Sequence, residues 1–318
     1  DRHNGAMLAL LGEVLVDLIQ ESQDPLRFRG VLGGSALNTA TTLARLGFPV
    51  RFLSEVGEDW VSAWSEKEMR RRGLELRLFR HPAPMPLALV RLDAEGNGEY
   101  SFHRPFRLPY HPGPESLRGA RVFHFGSLLA LEDRVEEGLG LLLQEAEEEG
   151  ALVSYDPNLR RSPTPRERKR IRAYLDRIDL LKLSLEDAKL LFEDPVGAVK
   201  ALGVPLKVLT LGREGAVAFL GKEAVRLPGK AVRVKDTVGA GDAFTAGLLA
   251  LLLRKGYGKG NLPLLSLPDL KEILEGAIAL SALACTVRGA YLPEKGLRSW
   301  QVRYLGDEED LARGLPPL

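Results

Sequence analysis

Sulfur is scarce in this chain: 318 residues contain one cysteine, Cys285, and three methionines. A single thiol excludes an internal disulfide framework and suits a reducing compartment, so a cytoplasmic location is expected. Long apolar runs are also missing. The leucine-rich stretch 248–253 is stopped by Arg254 and Lys255, well short of the roughly 18–20 residues that cross a bilayer. Charge of one sign is not in excess either. Forty-four Lys and Arg against 43 Asp and Glu leave a net charge of +1, which gives no bulk attraction to nucleic acid or a membrane. Neither is expected as a partner. The five histidines show no metal-ligand spacing, and His103, His111 and His124 read as packing or surface groups. Residues 1–6, ahead of Met7, carry no signal-peptide pattern and read as an extension outside the fold.

What is present is an ordinary globular composition, 45% hydrophobic and 27% charged. Short apolar runs alternate with amphipathic stretches, the pattern of βαβ units and a mainly parallel sheet. Strands are predicted over 8–11, 50–54, 122–125, 152–155, 180–183, 208–211 and 217–220. Helices are predicted over 36–46, 59–72, 132–149, 166–174, 186–191, 240–254 and 269–287. Gly47-Phe48-Pro49 ends the first helix and Gly73 the second. Two segments, 14–32 and 87–104, read as strands with no helix between them, the second as a hairpin turning at 93–98. Such strands fit either a small separate sheet, acting as a lid or an oligomer contact, or the edges of the main sheet. The acidic run 145–149 reads as a solvated helix face.

The densest chemistry lies in Asp236-Thr237-Val238-Gly239-Ala240-Gly241-Asp242, which opens the apolar helix 240–254. Glycines at a helix entrance let backbone approach a ligand, and the free N–H groups there favour an anion. Asp242 stands inside that donor cluster. An anion cradle with a base beside it suits deprotonation of a hydroxyl that attacks a phosphoryl group. A second cluster, Gly33-Gly34-Ser35-Ala36-Leu37-Asn38, opens the first long helix. It reads either as a glycine turn with Ser35 as cap or as a ligand loop in which Asn38 meets a polyol hydroxyl.

Further polar groups fall at strand ends, where open α/β sheets bind ligands. Asp17 follows the first strand; the alternative is a solvated turn. Asp156-Pro157-Asn158-Leu159-Arg160 is also turn chemistry, but the Arg160 guanidinium can grip phosphate oxygens in pairs. Lys182, Ser184, Glu186 and Asp187 follow the next strand, and closely spaced acids there could organise hydrated Mg²⁺. Thr210-Leu211-Gly212-Arg213-Glu214-Gly215 fits a nucleotide edge or a plain hairpin. Two apparent phosphate motifs fail on spacing. Gly215 to Gly221-Lys222 has one residue too many for a P-loop, with Glu223 in place of Ser/Thr. Gly239-x-Gly241 has Phe244 where a dinucleotide fingerprint needs glycine.

In this order and spacing, from about residue 7 to 293, these segments resemble the ribokinase-like (PfkB) carbohydrate kinases. The resemblance implies a three-layer α/β/α fold with a mainly parallel central sheet and a small β-sheet lid, as one kinase domain. It implies Asp242 as general base, with Gly239, Ala240 and Gly241 donating amides to the phosphoryl group. It implies Asp17, Gly33, Gly34, Asn38, Arg104 and Arg160 on the sugar. Lys182, Ser184, Thr210, Gly212, Gly215 and the 282–289 segment would border ATP. Mg²⁺ would be organised near Asp187, and a monovalent cation, K⁺, by the loop of Asp236 and Val238. A homodimer through the lid is implied as well.

Asp156-Pro157-Asn158-Leu159-Arg160, Leu181-Lys182-Leu183-Ser184, Ser101-Phe102-His103-Arg104 and Cys285-Thr286-Val287-Arg288-Gly289-Ala290 look most like fructokinases and 2-keto-3-deoxygluconate kinases. The chain departs from pattern at Ser184-x-x-Asp187, where many members have Asn-x-x-Glu. It departs again at His103, often Tyr in relatives, and at Pro105-Phe106-Arg107, where small residues are common. The expected activity is ATP-dependent phosphorylation of a primary hydroxyl of a small sugar, fructose first. The alternatives are a 2-keto-3-deoxygluconate or nucleoside kinase of the same family, or a non-catalytic sugar-binding regulator.

Overall fold

The computed structural model describes residues 6–92 and 98–306. The expected turn at 93–98 therefore lies, but for Gly98, outside the described residues. The chain runs β1 (Met7–Leu11), β2 (Leu15–Ser22), β3 (Arg27–Gly33), α1 (Ser35–Arg45), β4 (Val50–Val56), α2 (Trp60–Arg71), β5 (Glu75–Arg80), β6 (Leu87–Leu92), β7 (Gly98–His103), β8 (Ala120–Gly126), α3 (Asp133–Glu149), β9 (Leu152–Asp156) and α4 (Pro165–Leu175). It continues with β10 (Leu180–Ser184), α5 (Leu185–Leu191), α6 (Pro195–Ala201), β11 (Leu206–Thr210), β12 (Ala216–Leu220), β13 (Glu223–Leu227), α7 (Ala240–Arg254), α8 (Leu267–Ala284) and α9 (Glu294–Leu305).

Nine strands form one sheet in the order β13-β12-β11-β10-β9-β8-β1-β4-β5. From β5 to β11 every pairing is parallel; β12 and β13 close the far edge antiparallel. The strands are apolar on both faces because both faces are covered. Leu8 and Leu10 of β1 join the layer built from α1, α7, α8 and α9. Ala9 and Leu11 join the opposite layer with α3 and α4. That alternation is the period-two geometry of a strand. Ala6, read as part of the extension, is in fact buried in the first layer.

The strands of 14–32 and 87–104 do not join the edges of this sheet. They form their own sheet, in the order β3-β2-β6-β7, with β2 paired to β6 in parallel and two antiparallel hairpins around them.

Local sequence explains most helix starts. Thr164 and Glu167 make a reciprocal capping box at α4, with Pro165 in its first turn. Asp59 caps α2, and Ser266 caps α8. The cap at Ser266 places the start of α8 before the predicted 269. The helix also stops at Ala284 rather than 287, where the Thr286 hydroxyl donates to the Leu283 carbonyl at 2.7 Å. The run 145–149 is not merely solvated. Glu145 and Glu149 accept the amides of Leu117 and Gly119 at 2.7 and 3.2 Å, tying α3 to the turn before β8.

Candidate active site

The chain leaves β1 toward β4 on one side and later returns through β8 on the other, so order reverses beside β1. A cleft beyond the carboxyl ends of the strands at such a reversal is where open α/β sheets take ligands. Two helices begin there. Asp242, in the first turn of α7, accepts the Ser35 hydroxyl at 2.5 Å and the Asn38 amide at 2.9 Å, one on each carboxylate oxygen. Thr39 donates to the Asp242 carbonyl at 3.1 Å. Residues 35, 38 and 39 share one face of α1, so a single helix face holds the carboxylate in place. Ser35 is therefore not the cap of α1. Gly34 occupies that position, and the Ser35 side chain is turned to Asp242. Burial raises the pKa of Asp242, while the bonds from Ser35 and Asn38 and the charge of Lys182 oppose the rise.

Gly239 caps α7 with φ of 79°. A Cβ there would stand 2.8 Å from the Cβ of Ala290, so the loop admits only glycine. First-turn amides of a helix have no intrahelical acceptor, which leaves those of Gly239 and Gly241 facing the helix mouth. The Ala240 amide differs from expectation: it closes a turn onto the Thr237 carbonyl at 3.2 Å.

Beneath this mouth lies a buried ion pair. Lys182, in β10, places Nζ 2.9 Å from Asp156 at the end of β9 and 3.2 Å from the Gly241 carbonyl. A cation at a helix N-terminus opposes the helix dipole, and here Asp156 holds it against that field. Ser184 caps α5 by accepting the Asp187 amide at 3.1 Å, and Asp187 accepts the Leu159 amide at 3.1 Å. Burial, then the neighbouring charge of Asp156, pushes the Asp187 carboxyl up to about 7. His124 is buried against Ser154 at 2.8 Å, and burial lowers it to about 4, so it stays neutral.

The lid sheet supplies the opposite wall. Asp17 projects from β2 toward Gly33 of β3, where a Cβ would come within 2.3 Å of its Oδ2. Gly33 thus makes the space for this carboxylate. Burial pushes the Asp17 pKa up to about 6, against the nearby charge of Arg160. Glu13, just past β1, is also raised to about 6 by burial, with Arg104 the strongest opposing charge. Arg104 donates to Glu13 at 3.1 Å and stacks 4.6 Å from the Phe102 ring centroid. Arg160 lies 5.9 Å from the Tyr100 ring centroid. Both arginines thus meet aromatic rings of the lid beside Asp17 and Glu13.

On the other flank, the Thr210 hydroxyl reaches the Leu183 carbonyl at 3.5 Å, and Gly212 and Gly215 shape the β11–β12 hairpin. Asp236 accepts the Val238 amide at 3.1 Å and the Gly289 amide at 2.9 Å. It staples the loop before α7 to the loop after α8.

Residues 6–295 match the sequence profile of the pfkB family carbohydrate kinases. The chain belongs to that family. It is 31% identical over 318 residues to a protein of Arabidopsis thaliana named "Probable fructokinase-6, chloroplastic", covering 89% of this chain and 79% of that one. It is 29% identical over 313 residues to fructokinase-2 of Solanum lycopersicum, covering 90% and 94%. Among solved structures, a fructokinase from Xylella fastidiosa superposes with a TM-score of 0.81 at 25% identity, over 95% of this chain and 99% of that one. The protein is thus a fructokinase-like sugar kinase with the ribokinase-like architecture of a large sheet and a smaller one.

Against this kinase frame, two functional groups escaped the sequence reading. Glu13 falls between the predicted strands 8–11 and 14–32, and nothing local marks it as the partner of Arg104, 91 residues away. Ser35 was visible only as a cap. Its spacing to Asn38 and Thr39 was the available signal, but the partner that makes that face matter, Asp242, lies 207 residues further on. Among the described residues no helix is long and apolar enough to cross a membrane.

Proposed function

We propose that this kinase transfers the γ-phosphoryl group of ATP to a primary hydroxyl of fructose, as one kinase unit from residue 7 onward closed by its lid. The observation that carries the reading is the Asp242 carboxylate, held oxygen by oxygen by Ser35 and Asn38 beside the glycine-capped N-terminus of α7. Asp242 takes the proton from the attacking hydroxyl. The Gly239 and Gly241 amides and the α7 dipole stabilise charge on the phosphoryl oxygens, with Lys182 adding a cation close by. Asp17, Gly33, Gly34, Asn38, Arg104 and Arg160 form the sugar wall, in which the glycines give room and the charged groups give direction. Thr210, Gly212, Gly215 and the 282–289 loop border ATP, with Ser184 and Lys182 beneath it. Fructose is favoured by the fructokinases among the relatives.

Mg²⁺ is proposed beside Asp187, whose carboxyl is raised first by burial and then by the neighbouring charge of Asp156. Asp156 itself is paired to Lys182, and among the described residues no cluster of three or more ligating side chains forms a metal cage. When bound, Mg²⁺ neutralises phosphate charge, largely through its own waters. For K⁺, Asp236 shapes the loop: both of its oxygens are engaged by backbone amides, so the loop carbonyls near Val238 are the ligands proposed. Lid closure excludes water from the phosphoryl group. A second copy is proposed to cover the lid face, which exposes Leu26, Tyr100 and Phe102.

The test is ADP release with fructose, 2-keto-3-deoxygluconate, ribose and adenosine, with and without K⁺. Highest kcat/KM on fructose supports the reading. Preference for the sugar acid would transfer it to the acid kinases, and no ADP with any acceptor would remove the catalytic reading.

A further inference from the structure

Beside the sugar wall runs a buried polar chain that the transfer reaction does not use. His81, directly after β5, and Glu55, in β4, are 1% and 4% exposed. Nε2 of His81 lies 2.6 Å from Oε2 of Glu55. Arg134 donates to both Glu55 oxygens, at 2.7 and 3.0 Å. Glu132 pairs with Arg134 at 2.8 Å. Nδ1 of His81 has no hydrogen-bond partner among the described residues. A buried group this polar contributes less stability than an apolar side chain of its size, so its presence calls for a purpose.

The ring of His81 supplies one. Phe106 lies flat on it, centroids 4.1 Å apart and planes at 6°, while Phe79 meets it edge-on at 5.0 Å. The bond to Glu55 fixes the plane of the imidazole, and the imidazole fixes Phe106. Phe106 stands two residues from Arg104 with Pro105 between. Proline holds its own φ and restricts the residue before it, so Arg104-Pro105-Phe106 behaves as a short stiff lever. Arg107 reinforces it by donating to the carbonyls of Arg104 and Phe106 at 2.6 and 2.9 Å. At the other end of the lever the Arg104 guanidinium rests on Glu13 and over Phe102.

We infer that His81 is a positioning residue for the acceptor: clamped by Glu55, it stacks on Phe106 and thereby sets Arg104 at the sugar wall. The inference rests on the proposed contact between Arg104 and the sugar. His81 touches no reacting atom, so its effect falls on sugar binding alone.

The experiment is a double-mutant cycle read on the sugar KM. His81→Ala and Phe106→Ala are each expected to raise the sugar KM about tenfold. The KM for ATP and the kcat at saturation stay within about twofold. In an Arg104→Ala background, His81→Ala adds nothing further, because the group it positions is gone. A role in folding alone would lower the thermal midpoint and the active fraction, leaving the sugar KM unmoved. Additive effects in the cycle, or an unchanged sugar KM in His81→Ala, overturn the inference while leaving Arg104 on the sugar. An unchanged sugar KM in Arg104→Ala itself removes the Arg104 assignment and this inference with it. Should His81→Ala fail to fold, His81→Phe retains the ring stack without the Glu55 bond. With the clamp gone but the ring kept, its sugar KM is expected to rise about threefold, less than on loss of the ring, and a wild-type sugar KM contradicts the clamp.

Discussion

Asp17 shows how one carboxyl can set opposite pH trends. Its pKa, raised to about 6 by burial, means that the free enzyme takes up a proton as pH falls through that value. A carboxylate that accepts sugar hydroxyls then becomes a weaker acceptor, so kcat/KM for the sugar is expected to fall below about pH 6. Asp17→Asn should flatten that limb. Stability runs the other way. Between the ordinary 3.8 and about 6 the folded state binds more protons than the unfolded chain, so this group favours folding more as pH falls through that window. Glu13, raised to about 6, adds in the same direction. The ligand-free thermal midpoint should therefore rise between pH 7 and about 5.5 while sugar binding weakens; parallel trends would contradict the assignment of Asp17. Lys182 separates stability from activity in another way. Lys182→Met leaves Asp156 buried without its partner, expected to cost about 3–5 kcal/mol in denaturant unfolding. Lys182→Met with Asp156→Asn should recover much of that stability without recovering turnover, and recovered turnover would dismiss Lys182 from the reaction.

At the scale of elements, the function lies in how two helix starts and two lid strands meet. α1 and α7 point their N-termini at one spot, and Ser35, Asn38 and Asp242 lock them together. β2 and β3 pair Asp17 with Val31, and the Asp17 side chain leans diagonally over Gly33, leaving no room there for a methyl group. Gly33→Ala must displace the Asp17 carboxylate, and kcat/KM for the sugar is expected to fall on the order of 10²-fold with the KM for ATP preserved. Equal losses on both substrates would instead mean a general disturbance of the lid. These elements were legible in unequal measure. α7 stood out because an unbroken apolar run follows its glycines, and β2, β3, β6 and β7 because alternation persisted with no helix between. β13 and α6 passed unseen, being 5 and 7 residues long with no strong period, and β5 was passed over although Leu74-Glu75-Leu76-Arg77-Leu78 alternates. α9 is amphipathic but follows Pro293, which offers no side-chain cap to announce it.

For the whole molecule, the order of glycine clusters and strand-end polar groups along the chain identified the architecture, since most of these motifs fall at the carboxyl end of a strand or at the start of a helix. The side-chain pairings could not be read, because Glu13–Arg104, Lys182–Asp156 and Ser35–Asp242 join separate segments only after the sheet is built. The lid face carries a further expectation at this scale. Leu26 is 64% exposed on it and Tyr100 and Phe102 stack beside one another, an apolar surface of the kind that marks an interface. If a second copy covers it, Leu26→Glu should convert a dimer to a monomer in sedimentation velocity. A wild-type monomer would remove the lid as an interface.

The account turns on Asp242 as the base. The direct measurement is steady-state transfer from ATP to fructose by Asp242→Asn beside wild type, with sugar binding followed by calorimetry. The asparagine can accept from the Asn38 amide through its carbonyl and donate to the Ser35 hydroxyl, but it takes up no proton. The expected result is a kcat lower by about 10³-fold or more with sugar affinity within a few fold of wild type. Turnover near wild type in Asp242→Asn would contradict it.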